Sequence, residues 1–181
     1  MPILGDYILP YLTLISDIFI VLVVLDFILF KFKMKNEMWK GWNVFGKNAM
    51  LLAFLVSLGA MLLSLYYSDY LGYEPCKLCW YQRIFIYPQV FMFALALWKR
   101  KSDVWKYSLI LSIIGFAIAA DQYLLQSTNV SVLPCPVTGY SASCSEIFIL
   151  KFGYLTIPMM SLTAFALLIL LCFLAMKHKR E

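Results

Sequence analysis

Charge is what this chain has least of. Only 14% of its 181 residues are charged, against 63% hydrophobic, and the mean hydropathy is +0.81. So thin a polar supply excludes an ordinary soluble domain of this size and identifies an integral membrane protein. Histidine is all but missing: His178 stands alone in a basic tail with no ligand partner beside it. Repeats, low-complexity tracts and any stretch that reads as a soluble domain are also missing. The first ten residues lack a basic start and carry Asp6, while the lysines follow the apolar run. A cleaved secretory signal is therefore not expected, and the first apolar segment is read as retained.

What the chain has instead is apolar length. A helix crosses a bilayer with about 20 mostly apolar residues. Five segments meet or approach that length: roughly 9 to 30, 49 to 67, 82 to 98, 104 to 125 and 155 to 176. The third is the least pure, holding Gln82, Arg83, Pro88 and Gln89, which require partners or a cavity. The expected fold is all-α: a four-helix transmembrane bundle plus one additional N-terminal transmembrane helix. Residues 1–45 would supply that extra helix and a basic loop, and residues 46–181 the bundle.

Twelve of the fifteen basic residues fall in three regions: Lys31 to Lys47, Lys99 to Lys106, and Lys177 to Arg180. Lys77, Arg83 and Lys151 fall on the opposite side. The positive-inside rule then puts the N-terminus outside, the C-terminus in the cytoplasm, and both cysteine-bearing loops outside. The net charge of +5 resides in these juxtamembrane residues. It speaks for topology and contact with anionic membrane lipid, not for nucleic acid.

The cysteines carry the chemistry. Cys76 and Cys79 form a Cys-X-X-Cys pair at the mouth of the third segment, and Cys135 and Cys144 lie in the one long outer loop. That loop, from about Gln126 to Tyr154, is rich in Ser, Thr, Asn, Pro and Gly, with Pro134 and Pro136 around Cys135, and is expected to be irregular and mobile. Pro75 marks a helix start, which places the second thiol of the first pair near unsatisfied backbone N–H groups and the positive end of the dipole. Arg83 follows Cys79 by one helical turn, on the same face, as a fixed positive charge. Other chemistries use the same residues. Attachment of c-type haem needs histidine where Trp80 stands. A zinc site could use four thiolates, although a proline-flanked loop is a poorly preorganised ligand. Two structural disulfides are the bland alternative on an oxidising face.

The ordered string Cys76-Lys77-Leu78-Cys79-Trp80-Tyr81-Gln82-Arg83, then Tyr87-Pro88, Cys135, Cys144 and Gly153-Tyr154-Leu155-Thr156-Ile157-Pro158, resembles the DsbB family of disulfide-forming membrane proteins, in its compact BdbC-like branch. The resemblance covers about residues 49 to 176. It implies a thiol:quinone oxidoreductase of the bacterial plasma membrane. Such a protein reoxidises a thioredoxin-like dithiol oxidase (DsbA/BdbD-like) outside the membrane and passes electrons to ubiquinone or menaquinone. It further implies that the partner attacks Cys135, that Cys144 then attacks Cys76, and that Cys79 is released as the thiolate facing the quinone beside Arg83. Two features depart from the family pattern: a second pair only nine positions apart, and the extra N-terminal span.

That span holds Asp17 and Asp26, nine residues apart and so on different faces. Asp17 needs a polar partner, and Asp26 has Lys31 and Lys33 within reach. Asp121 is expected to act through packing and hydrogen bonding, and Cys172 as a small buried apolar residue. A vitamin K epoxide reductase-like enzyme shares the helix count and two cysteine pairs, but there the Cys-X-X-Cys pair follows the loop pair. A membrane scaffold with static disulfides is the non-enzymatic alternative.

Overall fold

In a computed structural model of the chain, the described residues are 11, 13–18, 39–99, 103–128, 130, 132, 133, 135 and 142–178. They are mostly helical, and among them there is no strand beyond a single bridge between Lys151 and Leu155. Four long helices dominate: α1 (Trp39–Leu65), extended by a π-helical turn (Tyr66–Tyr70), α2 (Lys77–Lys99), α3 (Val104–Thr128) and α4 (Ile157–His178). Each packs against two neighbours, α1 on α2 and α4, and α3 on α2 and α4, so that the four close into a ring.

Three stretches are long and apolar enough to cross a membrane: Asn48–Tyr70, Val104–Thr128 and Ile157–Met176. The five-span expectation is thus met for three segments. The helix α2 is long enough, but Gln82, Arg83, Gln89 and its terminal lysines dilute its apolar character. Most of the first expected span, with Asp26 and Lys31, lies outside the described residues, although 13–18 are helical.

The distribution of side chains is that of a protein solvated by lipid. Outward positions carry Leu51, Leu55, Ile84, Phe91, Ile110 and Phe173, all exposed, while Ser57, Gln89, Ser108, Ser112 and Thr163 are buried. Polar groups inside such a bundle need internal partners. Gln89 shows how this is met. Its Nε2 donates to the Phe85 carbonyl, and its Oε1 accepts from Ser108 and Ser112 at 2.6 and 3.1 Å, which ties α2 to α3. Pro88 sits beside this knot, inside the helix. Small residues let the helices approach closely: a Cβ on Gly115 would run into the Phe165 ring of α4. Cys172 is fully buried beneath them, its thiol donating to Ser108 Oγ at 3.6 Å.

The connection into α4 is a tight turn. Lys151 and Leu155 exchange backbone hydrogen bonds around Phe152 and Gly153, whose φ values of 53° and 78° lie in the left-handed region. Glycine is suited to that conformation and phenylalanine is not. The turn delivers Thr156 and Pro158 to the first turn of α4, where proline costs least.

Candidate functional site

The site lies at the end of the bundle where α1 finishes and α2 begins. After Pro75, Cys76 is the cap of α2: its carbonyl accepts from Trp80 N–H, and its sulfur accepts from Cys79 N–H at 3.3 Å. Sulfur here satisfies a donor that the helix start leaves unpaired. The sulfurs of Cys76 and Cys79 are 2.8 Å apart and hydrogen-bonded. Cys76 is buried, and its hydrogen bond with Cys79 pushes its pKa well above the usual thiol range, with burial and the charge of Cys79 acting in the same direction.

A residue that motif reading passed over completes this arrangement. The Nε2 of Gln122 on α3 donates to Cys76 Sγ at 3.1 Å and to Cys79 Sγ at 3.3 Å. Its Oε1 accepts from Gln82 Nε2 at 2.7 Å, which fixes the orientation of the amide. Both glutamines are buried. The available signal was a glutamine inside an apolar span, where a polar side chain needs a reason.

The second cysteine pair is brought to the same place. Cys135 and Cys144 are joined as a disulfide with Cα atoms 6.3 Å apart. Cys144 is buried in one cluster with Cys76 and Leu78, and Cys79, Cys135, Ile118 and Leu125 pack around it. The same end of α3 organises the loop. Asp121, itself buried, accepts the backbone N–H groups of Val132 and Leu133 at 2.8 and 3.2 Å, and Gln126 Nε2 donates to the Glu146 carbonyl. Asp121 thus has the hydrogen-bonding role expected of it. Much of the loop between 129 and 141 lies outside the described residues, and α3 runs to Thr128, beyond the expected loop start. A small void of about 20 Å³, room for roughly one water, lies beside the first pair, lined by Cys76, Cys79, Gln122, Ser143 and Glu146.

Cys79 also borders a second and much larger space. A cleft of about 510 Å³ opens between α1, α2 and α4, with apolar side chains such as Leu55, Leu63, Ile86 and Met160 on its walls and Glu74, Cys79, Gln82, Arg83 and several serines and threonines among its polar members. Its size and lining are those of a small-molecule site. Stacked Tyr67, Tyr73 and Phe148 rings, with centroids 6.2 and 5.0 Å apart, bound it near the loop. Arg83 shares the cleft with Cys79, as one-turn spacing predicts. Its hydrogen bonds go to Ser64: Nε to Oγ at 2.8 Å and Nη2 to the carbonyl at 3.0 Å, with the guanidinium 5.1 Å from the Trp80 ring centroid. The cation is therefore clamped to α1 and acts on its surroundings as a fixed charge.

Residues 46–175 match the profile of the family described as disulfide bond formation protein DsbB. The chain belongs to the DsbB family. It is 40% identical over 131 residues to disulfide bond formation protein C of Bacillus subtilis (strain 168), covering 71% of this chain and 93% of that protein. It is 38% identical over 133 residues to a probable disulfide formation protein C of Halalkalibacterium halodurans, covering 74% and 96% respectively. A probable disulfide formation protein of Metapseudomonas resinovorans is 36% identical over 126 residues, covering 68% of this chain and 86% of that protein. No solved structure matches the chain significantly. DsbB membership makes this a membrane oxidoreductase of disulfide bond formation that works with a thiol–disulfide oxidase partner.

Proposed function

We propose that the chain is a thiol:quinone oxidoreductase of the bacterial plasma membrane that reoxidises a thioredoxin-like, DsbA/BdbD-like dithiol oxidase. The observation that carries this reading is the position of Cys79. It packs in the cluster that holds all four loop and helix-start cysteines, and it alone among them also lines the 510 Å³ cleft. In this reading α1 to α4 all span the membrane, residues 1–45 add a fifth span, the N-terminus and both cysteine loops are extracytoplasmic, and the C-terminus is cytoplasmic.

The steps follow from thiol–disulfide exchange, in which a thiolate attacks one sulfur and expels the other. A thiolate of the reduced partner attacks Cys135 and releases Cys144. Cys144, with Cys76 in the same buried cluster, attacks Cys76 of an oxidised Cys76–Cys79 pair and expels Cys79 as a thiolate. The partner's second thiol then displaces Cys135, and the partner leaves oxidised. Two electrons and two protons have passed from the partner to the chain. The amide of Gln122, which donates to both sulfurs, is placed to hold the charge of the expelled Cys79 thiolate, because a hydrogen bond to a charged group is among the stronger ones.

The cleft fits a lipophilic quinone: apolar walls for a ring and chain, the Cys79 sulfur at its edge, and a clamped guanidinium for developing negative charge. Such a quinone, when bound, supplies the two-electron acceptor. Cys79, Arg83 and Ile86 would hold it, and the surrounding apolar side chains exclude water. To test the reading, purified protein is mixed with a reduced thioredoxin-like partner and a soluble quinone, and the quinone absorbance is followed. Wild type is expected to consume quinone, while Cys79→Ser and Cys135→Ser do not. An unchanged rate in Cys79→Ser would overturn the assignment.

A further inference from the structure

The cleft has a wall that the family match does not include. That match starts at residue 46, yet Thr13 and Ser16 line the cleft together with residues of α1, α2 and α4. Residues 13–18 are helical, so positions 13 and 16 share a face. Ile15 and Ile18 are exposed on the other side. The segment is fastened to α4 and to the turn before it. Asp17 accepts hydrogen bonds from Thr163 Oγ1 and from Tyr154 Oη, and the Tyr11 ring meets Phe152 edge-on at 5.4 Å. A carboxylate in an apolar segment is expensive unless paired. Here its two hydroxyl donors set the rotation that turns Thr13 and Ser16 toward the cleft.

We infer that the N-terminal segment is a built part of the acceptor site. Thr13 and Ser16 close one side of the cleft, Asp17 is the positioning residue that holds them there, and the segment contacts a lipid-soluble ring compound bound inside. The inference rests on the acceptor reading of the cleft and assigns a role to residues outside the family match. It also explains why a span added to a complete four-helix ring carries a carboxylate at this point.

Photolabelling of the full-length protein separates the two claims. The probe is a fully ring-substituted benzoquinone, which leaves no ring carbon open to thiol addition, with a photoreactive azide on its alkyl chain. It is applied to the resting protein, and labelled peptides are mapped with and without the unlabelled quinone as competitor. Competable label is expected on residues 11–18 as well as on α1 and α4. In Asp17→Leu the label on 11–18 is expected to be lost while that on α1 and α4 persists, which also reports that the bundle is intact. Asp17→Asn, which keeps an acceptor for Thr163, is expected to retain it. Competable label on α1 and α4 of wild type without any on 11–18 would overturn the inference and leave the acceptor reading standing. No competable label anywhere in the cleft would overturn both.

Discussion

The two cysteine pairs occupy one cluster but are held in opposite ways. Cys76 and Cys79 sit at the start of a long helix, where both sulfurs hydrogen-bond to each other and to the Gln122 amide, and the Cys76 sulfur also accepts the Cys79 backbone N–H. Cys135 and Cys144 sit in a loop, hung from α3 through backbone groups that Asp121 and Gln126 hold. Helix-borne groups keep their positions because packing and the backbone ladder over-determine them. A loop has no such ladder, and segments of that kind open locally at smaller cost. The difference suits a relay in which the loop pair moves to meet a partner and the helix pair stays to meet the cleft.

The sharpest way to break this comparison is to remove the fixed end. Cys79→Ser should abolish quinone reduction, while Cys135 still captures the reduced partner as a mixed disulfide visible on a non-reducing gel. Next comes the amide that serves both helix sulfurs. Gln122→Leu strips a hydrogen bond from a charged sulfur and leaves Gln82 unpaired, a change worth about 1.5–3 kcal/mol, so turnover should fall roughly ten- to hundredfold. Stopped-flow quinone absorbance would measure it, and a near-wild-type rate would show that the amide only packs.

A smaller effect is expected on the loop side. Asp121→Ala frees two backbone N–H groups of the loop, each bond being worth about 1 kcal/mol. Partner capture by Cys135 should slow severalfold, whereas alkylation of Cys79 should not change. Mixed-disulfide formation against time, with Asp121→Asn as the conservative control, checks both halves. The mildest test concerns the thiol that the pair keeps protonated. Cys76 is held above the ordinary thiol range first by its hydrogen bond with Cys79, so it stays protonated and slow to alkylate through neutral pH. Removing that partner lowers its pKa and raises its thiolate fraction. In reduced Cys79→Ala, alkylation of Cys76 at pH 8 should therefore be faster than in wild type, as read by peptide mass.

The sequence declares these features unevenly. Both cysteine pairs, the helix start after Pro75 and the one-turn spacing of Arg83 are local, and local spacing survives folding. Helix ends are less legible: α1 begins at Trp39 and α3 continues to Thr128, because hydropathy reports where lipid ends and the hydrogen-bond ladder runs on into the interface. Gln122 signals only that a polar side chain stands in an apolar span, because its meaning depends on α3 meeting α2 across some forty residues of chain. Ser64 was silent for the same reason: an ordinary serine becomes the clamp of Arg83 only once α1 and α2 pack. Gln82 and Gln89 did announce a need for partners, and only the fold could say that these are Gln122, Ser108 and Ser112.

The most direct measurement is the bond between the two pairs. Protein reacting with reduced partner, with the acceptor withheld, is quenched in acid and its disulfides are mapped without reduction. The account predicts a Cys76–Cys144 bridge that rises during the reaction, with Cys79 recovered as a free thiol. Finding only Cys76–Cys79 and Cys135–Cys144 at every time point, while the partner becomes oxidised, would contradict it.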